Sequence, residues 1–406
     1  MKTDRDFPRV IISDKGSEWI RNGHPWIYDG EVISADAGIP NGSIVDAVSL
    51  KGRYLGSGFY SGKSRIRIRL LTKNANEKFD EAFWRRRITY AWNYRKTVMK
   101  DDIACCRVIF GEADGLPGLT VDRFSDVLVT QTLSIGIENL KDMLFPLILD
   151  VLRSDGQAVR GIYERNDVRL RKLEGLEENK GWYGTPENRE TVTGIEENGV
   201  FYSVDVENGQ KTGFFLDQKY NRFAVARIAE GKSVLDCFTH TGSFALNAAK
   251  GGAQHVTAVD ISNDALLLAE QNAIHNGLAD RIEFICADVF DYLRELQAGG
   301  SRKFDMIILD PPAFTKSRKT AGNAERGYRE INSCAMKILP RGGYLATASC
   351  SHFMTHENFE RMLMAAASDA AVELKQIEVR QQAPDHPILW NVPETDYLKF
   401  YIFQVV

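Results

Sequence analysis

The chain has 406 residues, of which 44% are hydrophobic and 26% are charged, and its formal net charge is −4. These values fit a globular protein of two or three domains. No apolar run approaches the ~20 residues that a membrane-spanning helix needs, and the start, MKTDRDFPRV, is too charged for a signal peptide. We therefore expect a cytoplasmic protein with no membrane partner.

The cysteines argue against two further classes of protein. None of them forms a CxxC pair, and no histidine cluster accompanies them, so we expect neither a metal site nor a disulfide framework. The six cysteines are Cys105, Cys106, Cys237, Cys286, Cys334 and Cys350.

Residues 1–75 contain closely spaced glycines between short apolar segments. Turn signals of this density predict a small β-barrel. Within it, residues 65–70 alternate strictly between arginine and apolar side chains, which predicts a strand. We predict that the basic face of this strand contacts phosphate groups, although the alternation also fits a solvated edge strand. The arginines on that face are Arg65, Arg67 and Arg69.

Residues 76–188 mix helical and strand patterns, and we predict a small central α/β domain there. Positive charge is concentrated nearby, because residues 51–100 contain 14 Lys and Arg against 3 acids, or 14 − 3 = +11. This excess favours a polyanionic partner. Residues 79–98 form a helical pattern in which arginines and aromatic residues are interleaved. Such a helix can hold phosphates and stacked bases, or its aromatic residues can face a core.

From residue 189 to residue 406, apolar strands alternate with helical segments such as 264–276. This alternation predicts a doubly wound, mainly parallel sheet covered by helices on both faces. The predicted strands are 233–236, 255–260, 282–286, 304–310, 344–349, 374–379 and 398–405.

Four carboxylates come at or just after the ends of these strands. In doubly wound folds, ligands bind at the carboxyl ends of the strands, so we predict that the four acids line one ligand site. Each acid alone also fits a helix N-cap. The four acids are Asp236, Asp260, Asp288 and Asp310.

The loop after the first of these strands limits the kind of ligand. Residues 234–244 read VLDCFTHTGSF and contain one glycine where a dinucleotide-binding fingerprint has three. This argues against a dinucleotide-dependent oxidoreductase and favours a nucleoside without a diphosphate. Asp260 is placed to accept both ribose hydroxyls. Asp288 can accept from an adenine amino group, with Val289 packed on the ring.

Several segments resemble those of one known family. They are GQKTGFFLDQ at 209–218 followed by Asn221 and Arg222, YER at 163–165 with EGL at 174–176, and DHP at 385–387 with PE at 393–394 and YLK at 397–399. The C-terminal half resembles a class I S-adenosylmethionine-dependent methyltransferase. Nearly the whole chain resembles the ribosomal RNA large subunit methyltransferase I family, whose members methylate ring carbon 5 of cytosine in RNA.

The resemblance implies an architecture, a cofactor and a partner. We expect a PUA-like RNA-binding β-barrel in residues 1–75, a central domain in 76–188 and a Rossmann-like methyltransferase domain in 189–406. The implied cofactor is S-adenosylmethionine, the implied partner is RNA, and a homodimer is a possible assembly. The cofactor pocket is expected to include Phe215, Asp217, Asp236, Phe238, Thr241, Gly242, Asp260, Ser262, Asp288 and Val289.

Asp310 opens the segment DPPAF, in which two prolines and then an aromatic residue follow the strand. Several methyltransferase classes share such a motif, so it fits two chemistries. In methylation of an exocyclic amine, the acid and a prolyl carbonyl accept hydrogen bonds from the amino group, whose nitrogen attacks the methyl group directly. Carbon 5 of cytosine is a poor nucleophile, so its methylation needs a thiolate that first adds to ring carbon 6.

Cys350 is the candidate for that thiolate. It follows the predicted strand 344–349, which we expect to neighbour the strand that bears Asp310. The resemblance also assigns the nucleophile to the cysteine of this Ser-Cys-Ser motif. Asp310 would then hold ring nitrogen 3 and the amino group, and Phe314 would stack on the base. His352 can lower the pKa of the thiol, although it also fits an ordinary loop residue.

The target base must be unpaired or flipped out of a helix to reach such a pocket. Lys316 and Arg318 follow the base-holding loop, and we expect them to contact flanking phosphates, although an exposed loop without a ligand fits as well. Two other functions stay open. One is methylation of a guanine or adenine amine, and the other is a non-catalytic RNA-binding assembly factor that keeps the domain as a scaffold.

Overall fold

The structure is a computed structural model that describes residues 5–300, 303–314 and 321–406. The chain divides into two compact units. The N-terminal unit comprises Met1–Ile195, Val204–Leu216 and Pro384–Thr395, and the C-terminal unit comprises Glu196–Ser203, Asp217–Ala383 and Asp396–Val406. The domain boundaries expected from the sequence remain a prediction.

The first part of the N-terminal unit contains a six-stranded sheet, in which the strands pair in the order β2-β6-β5-β4-β1-β3. Apolar residues from one face of the strands pack against Ile20 of the helix α1. The arginine-rich strand predicted at 65–70 is the strand β6. The elements are β1 (Arg9–Ile12), α1 (Asp14–Arg21), β2 (Trp26–Tyr28), β3 (Val32–Ala35), β4 (Ile44–Ser49), β5 (Tyr54–Tyr60) and β6 (Ile66–Thr72).

A second sheet of five strands follows in the order β11-β10-β9-β8-β7. Only β9 and β10 run parallel to each other among these pairs of described strands. The elements are α2 (Glu81–Met99), β7 (Cys105–Phe110), β8 (Leu119–Phe124), β9 (Val127–Thr132), α3 (Ile135–Ser154), β10 (Gly161–Arg165), α4 (Arg171–Glu174) and β11 (Lys180–Trp182).

The aromatic residues of the helix α2 divide between the core and the surface, so each interpretation of the sequence pattern applies to some of them. Trp84 and Trp92 are fully buried, so these two aromatic residues belong to the core. Tyr90 and Tyr94 are exposed at 65% and 37%, so they remain on the surface beside the arginines of the helix. The interleaved pattern therefore divides between packing and an exposed polar face.

The seven-stranded sheet of the C-terminal unit has the strand order β16-β15-β14-β17-β18-β20-β19 within the described chain. Before it, β12 (Val192–Glu197) and β13 (Val200–Asp205) form a two-stranded sheet. The elements that follow are α5 (Lys219–Ala226), β14 (Ser233–Cys237), α6 (Ser243–Lys250), β15 (His255–Asp260), α7 (Asn263–His275), β16 (Ile282–Cys286), α8 (Val289–Ala298), β17 (Met306–Leu309), α9 (Ala321–Ile338), β18 (Tyr344–Ser349), α10 (His356–Ala370), β19 (Leu374–Arg380) and β20 (Lys399–Val405).

This sheet confirms the predicted doubly wound fold. The strands β14 to β18 are parallel to one another, and β20 is inserted antiparallel between β18 and β19. The strand β17 is apolar throughout, and the side chains of Met306 to Leu309 are completely buried, as expected for a strand that is covered by helices on both faces. The strand order reverses between β14 and β17, which is where a doubly wound sheet opens its ligand crevice.

None of the helices in the described ranges is both long enough and apolar enough to cross a membrane.

Candidate active site

The functional side chains predicted from the sequence gather at one edge of the seven-stranded sheet. Asp236 is the second-last residue of β14, and Asp260 is the last residue of β15. Asp288 comes two residues after the end of β16. Asp310 directly follows β17, and Cys350 directly follows β18. Because these strands are parallel, all five residues lie at the carboxyl edge.

Asp236 is a completely buried carboxyl group. Its Oδ2 accepts hydrogen bonds from the hydroxyl of Thr239 at 2.6 Å and from the main-chain N–H of Ala245 at 2.9 Å. Its Oδ1 is buried and has no hydrogen-bond partner among the described atoms. Burial raises the pKa of Asp236 to about 7, and repulsion from Asp310 and Asp260 contributes to the increase.

The loop that follows β14 is held in an unusual backbone conformation. Phe238 and His240 both have positive φ angles, of 64° and 50°, which non-glycine residues adopt rarely. Gly242 has a φ of 78°, and a Cβ there would lie 2.9 Å from the Cβ of Ala269 on α7. Glycine at 242 therefore permits both the turn and the close approach of α6 to α7. The adjacent Thr241 is half-buried.

Asp260 fixes this loop from the neighbouring strand. Its Oδ2 accepts a hydrogen bond from the main-chain N–H of His240 at 2.8 Å, and its Oδ1 accepts one from that of Ser262 at 2.9 Å. The hydroxyl of Ser262 in turn caps α7 by accepting from Ala265 N–H. Asp260 and Ser262 thus fix the loop after β14 and the start of α7, which both lie beside the predicted ribose position.

Asp288 and Val289 have clear structural roles. Asp288 is exposed and is the N-cap of α8, because its Oδ1 accepts from the N–H groups of Phe290 and Asp291. Val289 is 3% exposed and belongs to the main hydrophobic core of the unit. Whether Val289 also packs on an adenine ring stays a prediction.

Asp310 is held by a relay of side chains that sequence reasoning missed. The amide of Gln218 donates to Oδ1 of Asp310 at 2.8 Å. Oε1 of Gln218 accepts from Asn221 at 2.6 Å, and Oδ1 of Asn221 accepts from Arg380 at 3.1 Å. Gln218 and Asn221 belong to the segment that carried the family resemblance. This resemblance was the one sign in the sequence that the two residues matter, and it did not reveal their contact with Asp310.

The neighbouring Asp217 is also held in place. The hydroxyl of Tyr397 donates to its Oδ2 at 2.7 Å, and Ala383 N–H donates to its main-chain oxygen at 2.8 Å. Phe215, two residues earlier, belongs to the N-terminal unit, where the ammonium group of Lys211 lies 4.4 Å from its ring centroid.

Phe314 belongs to an aromatic cluster at the same edge. Its ring centroid lies 4.6 Å from that of Tyr328, 5.7 Å from that of Phe290 and 6.4 Å from that of Phe238. Ala313 separates Phe314 from the two prolines, so the aromatic residue does not follow them directly. The ring is half-buried, and base stacking by Phe314 stays a prediction.

The thiol of Cys350 is half-buried and shares its surroundings with Asp310. Burial raises the pKa of Tyr328 on α9, and the charges of both Cys350 and Asp310 raise it further, so one tyrosine lies close to both groups. Cys237 and Cys334 are buried as expected for packing residues, but Cys286 is exposed. His352 is exposed too.

The arginines of β6 do not form one uniform basic face. Arg65 is exposed, whereas Arg67 donates to the main-chain oxygen of Ser61 at 2.8 Å. Arg69 pairs with Glu112 at 3.0 Å and Glu174 at 3.3 Å, so its charge is neutralised within the N-terminal unit. Lys316 and Arg318 lie outside the described residues.

The charge of the 51–100 segment is also offset by acids from outside it. Arg85 pairs with Asp150, Arg95 with Asp114, and Lys96 with Asp155. The local excess of +11 therefore overstates the positive charge that this part of the protein offers to a polyanion.

The carboxylate edge suits a cationic nucleoside. S-adenosylmethionine carries a sulfonium and an ammonium group. A cation would provide a partner for the buried Oδ1 of Asp236, and it would offset the repulsion of Asp236 by Asp260 and Asp310. In the described ranges, no group of three or more His, Cys, Asp or Glu side chains is arranged to hold a metal ion.

Comparison with known proteins defines the class. Residues 177–402 match the S-adenosylmethionine-dependent methyltransferase family, and residues 10–73 match the PUA-like domain family. The first match covers more than half of the chain. The protein is therefore an S-adenosylmethionine-dependent methyltransferase with an N-terminal PUA-like domain.

Full-length relatives define the family more narrowly. A protein of Klebsiella pneumoniae named ribosomal RNA large subunit methyltransferase I is 39% identical over 406 residues, which are 100% of both chains. A protein of Escherichia coli with the same name is 39% identical over 400 residues, or 98% of this chain and 99% of that one. The chain belongs to the ribosomal RNA large subunit methyltransferase I family.

Solved structures share the same fold. A protein from Streptococcus mutans, named as a SAM-dependent methyltransferase, superposes with a TM-score of 0.81 at 21% identity over 98% of this chain and 100% of that chain. A methyltransferase structure complexed with SAH has a TM-score of 0.82 at 20% identity, with the same coverage.

Proposed function

We propose that the protein methylates ring carbon 5 of a cytosine in large-subunit ribosomal RNA through a covalent adduct with Cys350. The name of the relatives supports ribosomal RNA as the substrate. The observation that carries the chemistry is the position of Cys350 and Asp310 directly after neighbouring parallel strands, where the charges of both groups act on Tyr328. Methylation of an amine would use Asp310 without requiring a thiol beside it.

The reaction follows from the weak nucleophilicity of carbon 5. The Cys350 thiolate adds to ring carbon 6, which forms an S–C bond and moves electron density to carbon 5. Carbon 5 then attacks the donated methyl group. Loss of the carbon 5 proton restores the double bond, breaks the S–C bond and regenerates the thiolate. S-adenosylmethionine supplies the methyl group when it is bound.

Asp310 holds the base during this sequence. Negative charge develops at ring nitrogen 3 when the thiolate adds to carbon 6. Asp310 stabilises this charge through its hydrogen bonds with ring nitrogen 3 and the amino group. Gln218 supports this role because its hydrogen bond restricts the orientation of the Asp310 carboxyl group.

Several other contacts are proposed for the cofactor and the RNA. The cofactor would be held by Phe215, Asp217, Asp236, Phe238, Thr241, Gly242, Asp260, Ser262, Asp288 and Val289. The target nucleotide must be unpaired or flipped out, since a paired base cannot present carbons 5 and 6 to a pocket. Phe314 would stack on it, and Arg65, Arg67, Lys316 and Arg318 would contact the RNA. The possible homodimer stays a prediction.

The decisive variant is Cys350→Ala. We expect it to abolish methyl transfer to ribosomal RNA while S-adenosylmethionine binds with unchanged affinity, as measured by calorimetry. Cys286→Ala, which removes an exposed thiol at the same sheet edge, is the matched control. Mass spectrometry of nucleosides from the methylated RNA identifies the base. Full activity of Cys350→Ala, or an N-methylated purine as the product, would contradict the proposal.

A further inference from the structure

Lys399 is a buried lysine at the start of β20, with 1% of its surface exposed. Its ammonium group donates to the main-chain oxygen of Ser351 at 2.6 Å and to that of Tyr397 at 2.8 Å. Both acceptors are neutral carbonyls. A lysine is seldom buried without a negative partner, because removing an ammonium group from water is costly.

The carboxylates near Lys399 do not form an ion pair with it. Asp396 is close enough to influence its charge, but the carboxyl group of Asp396 faces His356 at 3.3 Å. No carboxylate of the described residues lies within ion-pair distance of the Lys399 ammonium group. The buried cation therefore lacks a formal counter-ion.

The sheet register brings Lys399 beside Cys350. In the antiparallel pair of β18 and β20, Lys399 is opposite Ser349, the residue before Cys350. The ammonium group then reaches past the end of β18 to the carbonyl of Ser351, the residue after Cys350. Lys399 thus spans the position of the cysteine, and the charge of Cys350 acts on the pKa of Lys399.

Lys399 remains mostly charged in this position. Burial lowers its pKa from 10.5 to about 8, and the interaction with Cys350 opposes part of this decrease. A group with a pKa of about 8 is roughly nine-tenths protonated at pH 7. Three of the other titratable groups around the pair, Tyr328, Asp310 and Asp396, can add only negative charge. Two histidines can add positive charge: His356, which faces Asp396, and His352, which is exposed two residues after Cys350.

We propose that Lys399 is a positioning residue whose ammonium group is the counter-cation of the Cys350 thiolate. The ammonium group stabilises the ionised sulfur before the sulfur attacks ring carbon 6 and again when the S–C bond breaks. The ammonium group transfers no atom in either step. The catalytic part of this role rests on the proposed function of Cys350. The electrostatic part concerns the free enzyme and can be tested without RNA.

The test measures the ionisation of Cys350 directly. The full-length protein is treated with iodoacetamide between pH 5 and pH 10, and the rate of alkylation at Cys350 is followed by peptide mass spectrometry. We expect Lys399→Met to move the midpoint of the alkylation profile upward by at least one pH unit. At pH 7 the rate should fall about tenfold, because fewer molecules carry the reactive thiolate.

Two variants control for indirect effects. Lys399→Arg keeps the positive charge and should retain a midpoint near that of the wild type, with partial methyltransferase activity. Lys375→Met removes an exposed lysine from the neighbouring strand β19 and should leave the alkylation profile unchanged. Lys399→Gln replaces Lys399→Met if the latter does not bind S-adenosylmethionine. Equal midpoints in the wild type and the neutral variant would overturn the proposal.

The outcome also separates the two proposals. If Cys350→Ala remains active but Lys399→Met shifts the alkylation midpoint, the covalent mechanism fails and the electrostatic pairing stands. If Cys350→Ala is inactive and Lys399→Met leaves the midpoint unchanged, only the role of Lys399 fails.

Discussion

The side chain of Gln218 donates a 2.8 Å hydrogen bond to Oδ1 of Asp310, across 92 residues of sequence. Gln218 is itself held by Asn221, which is held by Arg380 at the end of β19. The carboxyl group that we propose to contact the base is therefore connected to both the segment before α5 and the far edge of the sheet. The relay predicts that residues without contact to the substrate control the rate of methyl transfer.

Gln218→Leu tests this relay. Loss of a hydrogen bond to a buried or half-buried charged group is worth about 1.5–3 kcal/mol, so we expect the single-turnover rate to fall roughly tenfold to a hundredfold. The affinity for S-adenosylmethionine should change little. Gln254→Leu, at an exposed position of the same unit, is the matched control. A normal rate in Gln218→Leu would show that Asp310 does not depend on this contact.

Lys399→Met should stabilise the protein while impairing its chemistry. The pKa of Lys399 is lowered from 10.5 to about 8 on folding, so the charged form is disfavoured in the folded state by at most about 3 kcal/mol. This penalty is complete below pH 8 and disappears as the pH rises from 8 to 10.5. The variant should thus unfold at higher temperature than the wild type at pH 7, with a smaller difference at pH 10. A destabilised variant at pH 7 would contradict this sign.

The raised pKa of Asp236 predicts that cofactor binding depends on pH. A cationic ligand favours the ionised carboxylate, so binding to the protonated form must release a proton. Below a pH of about 7, the affinity for S-adenosylmethionine should fall, approaching tenfold per pH unit. Calorimetry in buffers of different ionisation enthalpy should detect the released proton. Asp236→Asn should bind weakly at every pH, whereas the exposed Asp264→Asn should retain the wild-type profile.

The arginines of β6 should divide into two groups. Arg65→Glu with Arg67→Glu should weaken RNA binding and reduce its salt dependence, because phosphate contacts release counterions. Arg69→Glu should instead lower the unfolding temperature, because it leaves Glu112 and Glu174 close to a third carboxylate. Filter binding over a series of salt concentrations and thermal unfolding separate the two effects. The division would be contradicted if Arg69→Glu lost as much RNA affinity as the Arg65→Glu, Arg67→Glu variant and kept its unfolding temperature. All three arginines would then contact RNA.

The strands of the C-terminal sheet and the positions of the four acids at their ends could be predicted because they depend on local patterns. Apolar runs that end in a carboxylate mark parallel strands, and the fold then brings their carboxyl ends to one edge. The surroundings of each side chain depend on residues that are far away in the sequence, and a local pattern does not show them. Arg69 fits a basic face in the sequence, but in the fold it pairs with Glu112 and Glu174. The packing of Val289 in the core of the C-terminal unit was not apparent from the sequence either.

Asp260 and Asp310 both repel Asp236 at the sheet edge, and in the proposed cofactor site this has a consequence for turnover. The donor molecule enters with a positively charged sulfur and leaves as a neutral thioether, so it loses one positive charge in the reaction. We expect a pocket with this concentration of negative charge to retain the spent molecule less tightly than the fresh one. The acids that we propose to attract the donor would then also favour its replacement after each cycle and reduce inhibition by the accumulated product.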